Sequence, residues 1–405
     1  MENRNNGDLR GAQLLRIADH SLWGRRIPML KITLITNHPP PFRIPIYEKI
    51  AGTPGIDLHV IFCSPREPNR QWELPPLEFK HVFLKERFVA RGNNFIHNNP
   101  DVIPALRRLE PEVIVTTGFN PTYLYAFGYA MSKGVAHVPM TDGTDVSEQS
   151  LSRWHKAVRR MVYARSHAFV AASHGGLRLY GNYGIPRERC FQSCLCTDND
   201  AYVAVPAPTE KSFDFIFCSR IVSAKNPLFA LQVAADTARR LERRLRILFV
   251  GTGEQEEEVK AEAVRLADLV DAQFHGHAAQ EELPGLYRSA RIFLFPTAHD
   301  AWGVVVNEAC AADLPVITTP YAGVSGELVV DGENGFVCEL DVGVWSERAA
   351  LLLARPAVYQ RFARRSAALV SKYTFDHAAD GVIEACRFAV AGRRGKAGAW
   401  RRKAG

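Results

Sequence analysis

The stretch that most constrains what this chain can fold into is Phe295 to Pro320, FPTAHDAWGVVVNEACAADLPVITTP. It starts at the end of an apolar run, Ile292 to Phe295, and crosses a polar loop to Gly303. A helical run then begins at Val304 and carries Asn307 and Glu308. Pro315 closes that run, because proline lacks an N–H and disfavours helix in the residue before it. Val316 to Thr319 reads as the next strand. The unit is strand–loop–helix–strand, the repeat of a parallel α/β sheet.

The loop places two acids around a helix N-terminus. Asp300 precedes the helix, and Glu308 lies five residues beyond Gly303, about 7.5 Å along the axis at ~1.5 Å per residue. Free N–H groups at Gly303, Val304 and Val305 form a positively polarised end suited to phosphate oxygens. Gly303 has no Cβ, which lets a bulky ligand approach the backbone. A carboxylate on each flank can accept hydrogen bonds from a sugar. The expected ligand is a sugar–diphosphate–nucleoside.

These residues resemble the retaining glycosyltransferases of the GT-B fold, family four, also called glycosyl transferases group 1. The signature reads Asp300-Ala-Trp-Gly-Val-Val-Val-Asn-Glu308-Ala, then Leu314-Pro-Val-Ile317, with Asp where the family more often has Glu. Four further motifs follow the family's order: Arg220 and Lys225 five residues apart, Gly251-Thr-Gly253-Glu, Phe274-His-Gly276 and Asp331-Gly-Glu-Asn-Gly335. The resemblance runs over residues 29–390 and is specific in the second half. It implies two Rossmann-like domains with parallel sheets facing a cleft. The donor would bind at Gly251, Gly253, Gly276, Gly303, Val304, Val305 and Glu308, its diphosphate resting on the helix that starts at Gly303. Arg220 and Lys225 would stabilise the leaving diphosphate, Glu308 would bind the ribose, and Asp300 the donor sugar. The acceptor hydroxyl would attack on the leaving-group face, with retention of configuration. No Asp-x-Asp stands near the donor loop, so neither a metal nor another cofactor is expected.

The resemblance leaves the partners coarser. Uracil and guanine donors both fit, with a UDP-sugar favoured over a GDP-sugar. The acceptor is a saccharide or a lipid-linked molecule of a polysaccharide or glycolipid pathway. Two rivals keep the same pocket: a non-catalytic sugar-nucleotide-binding subunit and a nucleotide-sugar epimerase.

Along the chain, residues 1–28 form an extension in which Leu14, Leu15, Ile17, Ala18 and Leu22 could line a short helix. Met29 directly precedes the first strand and is a candidate natural start. A first domain is expected over 29–200, a linker over 201–211 and a second domain over 212–373. A helix over 374–390 then crosses back to the first domain, and 391–405 is a basic tail. The loop after the first strand, Asn37-His-Pro-Pro-Pro-Phe-Arg43, lacks the Gly-x-Gly-x-x-Gly turn of a dinucleotide fold. Arg43 either faces the acceptor or caps backbone carbonyls. Asp142, in Asp-Gly-Thr-Asp after a later strand, either stands near the transferred sugar or simply makes a turn.

The net charge of +7 equals the seven basic residues that follow position 386, where no acid occurs. The basic balance therefore belongs to the tail, which is expected to be solvated or drawn to anionic lipid. The helix around Trp154 to Tyr163 is basic and aromatic, and reads as a solvated face or a lipid-facing one; nucleic acid is not an expected partner. No apolar run reaches the ~18 residues of a spanning helix, and the first ten residues do not resemble a secretion signal. The expected location is cytoplasmic, at the inner face of the plasma membrane if lipid is bound. Cys190, Cys194 and Cys196 cluster without a nearby His at zinc-ligand spacing, and read as small residues with Cys194 and Cys196 on one face.

Overall fold

The computed structural model describes residues 29–68, 76–91, 94–206 and 210–401. The N-terminal extension, the question of Met1 against Met29, and the last four residues lie outside them. Two parallel sheets organise the rest. The first contains β1 (Leu30–Thr36), β2 (Ile56–Phe62), β3 (His81–Phe83), β6 (Val113–Thr116), β7 (Ala136–Thr141), β8 (Phe169–Ala171) and β9 (Cys190–Gln192). Their order is β3-β2-β1-β6-β7-β8-β9, and every pairing is parallel. An antiparallel hairpin of β4 (Phe88–Arg91) and β5 (Asn94–His97) stands apart from it. The second sheet contains β10 (Phe213–Cys218), β11 (Leu245–Val250), β12 (Val270–Gly276), β13 (Ala290–Phe295), β14 (Val316–Thr318) and β15 (Gly335–Val337), in the order β12-β11-β10-β13-β14-β15, again all parallel.

The central strands are apolar on both faces, as a sheet covered by helices on both sides requires. Ile32 and Leu34 of β1 enter one core, while Ile35 enters a second core on the opposite face with Ile61 and Ile114. Each sheet reverses its strand order once. The reversal falls between β1 and β6 in the first sheet and between β10 and β13 in the second. Ligands of open α/β sheets bind outside the carboxyl ends of the strands at such points. The loops that follow β10 and β13 are the two that carry Arg220, Lys225 and Asp300.

Two segments differ from the sequence expectation. The stretch read as a linker contains a helix, Asn199–Ala204, capped by the Asp198 side chain, which accepts from the amides of Asp200 and Ala201. Its Tyr202 is buried in the core of the second domain, and that tertiary contact holds a composition that otherwise suits a loop. The final helix runs from Phe375 to Arg401, into the stretch read as a tail. Its Ala378, Ala379, Val382, Ile383 and Cys386 belong to the same core as β1 and β2. Gly381 permits the approach, since a Cβ there would overlap the carbonyl oxygen of Gln192 at the end of β9. Among the described residues, no helix is long and apolar enough to cross a membrane.

Candidate active site

The two loops at the reversal point of the second sheet are stitched together by their backbones. The amide of Ala298 donates to the Ala224 carbonyl at 2.9 Å, and the Asn226 side chain donates to the Pro296 carbonyl at 2.8 Å. Asn226 takes a positive φ of 51° to turn the chain into the next helix. This stitching brings Lys225 to Asp300. Its Nζ donates to Asp300 Oδ2 at 2.6 Å and to Thr297 Oγ1 at 3.2 Å, and lies 5.4 Å over the Phe295 ring. The other oxygen, Asp300 Oδ1, accepts from the Trp302 amide at 3.0 Å. The Asp300 carbonyl accepts from the Gly323 amide, which pins the loop to the segment after β14. A carboxylate and an ammonium are therefore locked together just ahead of a helix N-terminus. Arg220, in the same neighbourhood of the chain, is exposed and makes no ion pair among the described residues.

Gly303 caps the helix Val304–Ala311 with φ 101°. A Cβ on it would stand 2.7 Å from the Phe295 ring. Glycine is required there by the backbone angle and by a side chain of the protein. Gly251 and Gly253 are likewise packing positions: a Cβ on either would overlap the carbonyl oxygen of Ser219 or of Ile221. They press the loop after β11 against the loop that carries Arg220. Gly276 has φ 81° with open space beside it, and its carbonyl accepts from the Gly251 amide at 2.6 Å. Val304 and Val305 are half-buried on the first turn.

Glu308 sits deeper than Asp300. It is 7% exposed, and its Oε2 accepts from the Tyr287 hydroxyl at 2.9 Å. Burial pushes its carboxyl up to about 7, against the opposing effect of the Tyr287 hydrogen bond. Next to it, Asn307 ties the helix to the first domain. Its Nδ2 donates to the Leu195 carbonyl at 3.2 Å, while its Oδ1 accepts from Trp302 Nε1 at 2.8 Å.

In the first domain, Arg43 ends the 3-10 turn Pro41–Arg43 and pairs with Asp142, which follows β7. The two candidates chosen on the acceptor side thus meet across ninety-nine positions of sequence. The structure gives Arg43 a carboxylate partner in place of capped carbonyls. Phe42, beside it, packs against the core of the second domain.

Sequence reasoning missed a cluster at the carboxyl edge of β1 and β2. The Glu67 carboxylate is bonded by His97 Nε2 at 3.1 Å and Asn37 Nδ2 at 3.3 Å, with His38 Nδ1 at 3.5 Å. Burial pushes Glu67 up, but the hydrogen bonds from His38 and His97 win and hold it at about 2. It also missed Glu327, which joins the domains. Glu327 accepts from the His174 amide at 2.7 Å, from Gln192 Nε2 at 3.1 Å and from the Tyr373 hydroxyl at 3.3 Å. A cavity of about 400 Å³ opens beside it, lined by Gln192, Cys194, Lys372 and Tyr373 among others. No spacing or motif marks either cluster, because each is assembled from loops and element ends far apart in sequence.

Comparison with known proteins adds three findings. Residues 198–368 match the family described as glycosyl transferases group 1. The D-inositol 3-phosphate glycosyltransferase of Rhodococcus erythropolis is 29% identical over 181 residues, which is 43% of this chain and 41% of that protein, so the chain spans less than half of that relative's length. Two solved structures superpose on nearly the whole molecule at 14% identity. A glycosyltransferase from Rickettsia africae gives a TM-score of 0.70 over 89% of this chain and 99% of its own. Anabaena HepE, solved in complex with UDP and glucose, gives 0.66 over 88% and 98%. The chain therefore has the GT-B fold, and its residues 198–368 match the glycosyl transferases of group 1.

Proposed function

We propose that this protein is a retaining glycosyltransferase that moves a sugar from a nucleotide-diphosphate sugar, preferably a UDP-sugar, to an acceptor hydroxyl. The observation that carries the reading is the Lys225–Asp300 pair at the head of the helix Val304–Ala311. A cation, an acid and a row of helix amides converge there within a stretch that matches a transferase family. Arg220 and Lys225 neutralise the diphosphate as the glycosidic bond opens, an effect realised only as charge develops on the leaving oxygen. Asp300 accepts from hydroxyls of the donor sugar, and Glu308 from the ribose. The acceptor enters from the first domain past the Arg43–Asp142 pair, attacks on the face from which the diphosphate leaves, and passes its proton to a phosphate oxygen. The absence of an Asp-x-Asp near the donor loop supports a metal-independent reaction. The UDP and glucose held by Anabaena HepE, whose fold this chain shares, support the choice of base. An acceptor in polysaccharide or glycolipid synthesis, at the cytoplasmic face of a membrane, completes the proposal.

Thermal unfolding with UDP, GDP, ADP and their common sugars tests it. A ligand at 100 times its dissociation constant adds about 2.7 kcal/mol of stability. We expect a shift with UDP that Lys225→Ala removes, and slow release of UDP from one UDP-sugar in the presence of EDTA. A wild type that no nucleotide stabilises would end the proposal.

A further inference from the structure

The segment Ser193 to Asp198 links β9 to the second domain without regular secondary structure, and its middle residues alternate between two cores. Cys194 and Cys196 face the core of the first domain, while Leu195 faces that of the second. This is the two-residue period of an extended chain, and it sets both thiols on one side. Neither is engaged in a disulfide. Cys194 also reaches the interdomain cavity of about 400 Å³ and approaches the Thr374 carbonyl at 3.9 Å, where the chain crosses back. Arg43 stands beside the pair. Its guanidinium is 4% exposed, and its Nη1 has no hydrogen-bond partner among the described residues.

We propose that Cys194 and Cys196 are a modification site, a dithiol that hydroperoxides convert to a reversible disulfide, and that this disulfide loosens the helix Val304–Ala311 from the first domain. Cys194 attacks first. The hydrogen bond from Cys196 lowers its thiol below the ordinary range, burial opposes this, and the Arg43 charge adds to the lowering; Cys196 is correspondingly raised. A thiolate is the form that reacts with peroxide. Its sulfur bonds to one peroxide oxygen, the O–O bond breaks, and the departing hydroxide takes a proton to become water. The Cys196 sulfur then attacks the Cys194 sulfenic acid, loses its proton and expels the second oxygen as water. Two thiols are oxidised by two electrons and one hydroperoxide is reduced.

Geometry carries the consequence to the second domain. Two residues of extended chain span about 6.6 Å at ~3.3 Å per residue. Disulfides hold their Cα atoms about 4.4–6.8 Å apart, most often near 5.5–6 Å. Closing the bond at that commonest separation shortens the segment by about 0.6–1.1 Å and turns the Leu195 peptide, whose carbonyl is the acceptor for Asn307. The connection between the thiols and the helix that holds Glu308 is one hydrogen bond long.

The test uses the full chain and is independent of the transferase reading. Reduced protein is exposed to hydrogen peroxide, quenched with iodoacetamide, and read by peptide mass and by amide hydrogen exchange. We expect the peptide spanning Cys190 to Lys211 to lose two hydrogens, with Cys194 and Cys196 protected from alkylation and Cys190 alkylated. Amides of residues 302–312 should exchange about fivefold faster, the factor that one net hydrogen bond contributes. Dithiothreitol should reverse both, and C196S should show a Cys194 sulfenic or sulfinic acid with unchanged exchange. Cys194 and Cys196 that stay alkylatable, a bridge to Cys190, or a disulfide that leaves residues 302–312 unaltered would each overturn the proposal.

Discussion

The Arg43–Asp142 ion pair joins a guanidinium that is 4% exposed to a carboxylate that is 49% exposed, so the two partners depend on it unequally. Asp142 without Arg43 is simply hydrated. Arg43 without Asp142 is a buried charge that has lost its partner, and that is the costly case. Asp142→Ala should therefore destabilise by about 2 kcal/mol, near the value of a charged hydrogen bond. Arg43→Met should cost less, and the double variant should be no worse than Asp142→Ala. Urea unfolding of the three variants reads this ordering. Glu308 makes a prediction in pH. Its folded carboxyl is raised from 4.5 to about 7 by burial, so the folded state holds a proton that the unfolded chain has already released. The stability it contributes is full below pH 4.5 and is lost as pH rises through 7. That loss is about 3 kcal/mol at ~1.4 kcal/mol per pH unit. Glu308→Gln should flatten this part of the stability profile between those limits; a variant whose slope matches wild type would show that the carboxyl titrates normally.

At the scale of elements, a helix is positioned by what one glycine omits. The helix Phe375–Arg401 touches β9 at Gly381, where any Cβ would occupy the Gln192 carbonyl. Gly381→Ala should destabilise by about 3 kcal/mol, the upper range for overpacking, and lower the melting temperature by several degrees. The strand–loop–helix of residues 295–320 was legible in the sequence because strands covered on both faces are continuous apolar runs with polar loops directly after them. Arg220, Lys225 and Asp300 were legible for the same reason, each following a strand. The pairing of Lys225 with Asp300 was not, since these residues, seventy-five positions apart, are brought together only by the strand order β10-β13. Gly303 was legible as a glycine but its reason was not, because the Phe295 ring returns to it from eight residues earlier. The Asn199–Ala204 helix was read as linker because its six residues carry little helical pattern; the burial of Tyr202 is what holds it. Glu67 with His38 and His97 left no trace, as no local rule links two loops and the end of a hairpin strand.

For the whole molecule, the seam between domains is polar at Glu327 and apolar at Leu195 and Phe42. Three donors from outside its own loop converge on the Glu327 carboxylate, so Glu327→Ala leaves three groups unsatisfied at one stroke. Calorimetry should show one transition for wild type and a broadened or split one for the variant as the domains uncouple. A sharp transition of reduced midpoint would mean that the apolar contacts alone hold the seam.

The path of the chain has a further consequence. It leaves the first sheet after β9, builds all of the second between β10 and β15, and returns in the helix Phe375–Arg401 to finish the first core. The second domain is therefore an insert in the first, entered near residue 198 and left near 374. A fragment ending before the return helix lacks one wall of its core, whereas the insert is bounded by two seams and can be exchanged as a cassette. Under the proposed activity, a chimera made at those seams would take its donor preference from the cassette and keep its acceptor preference from the host.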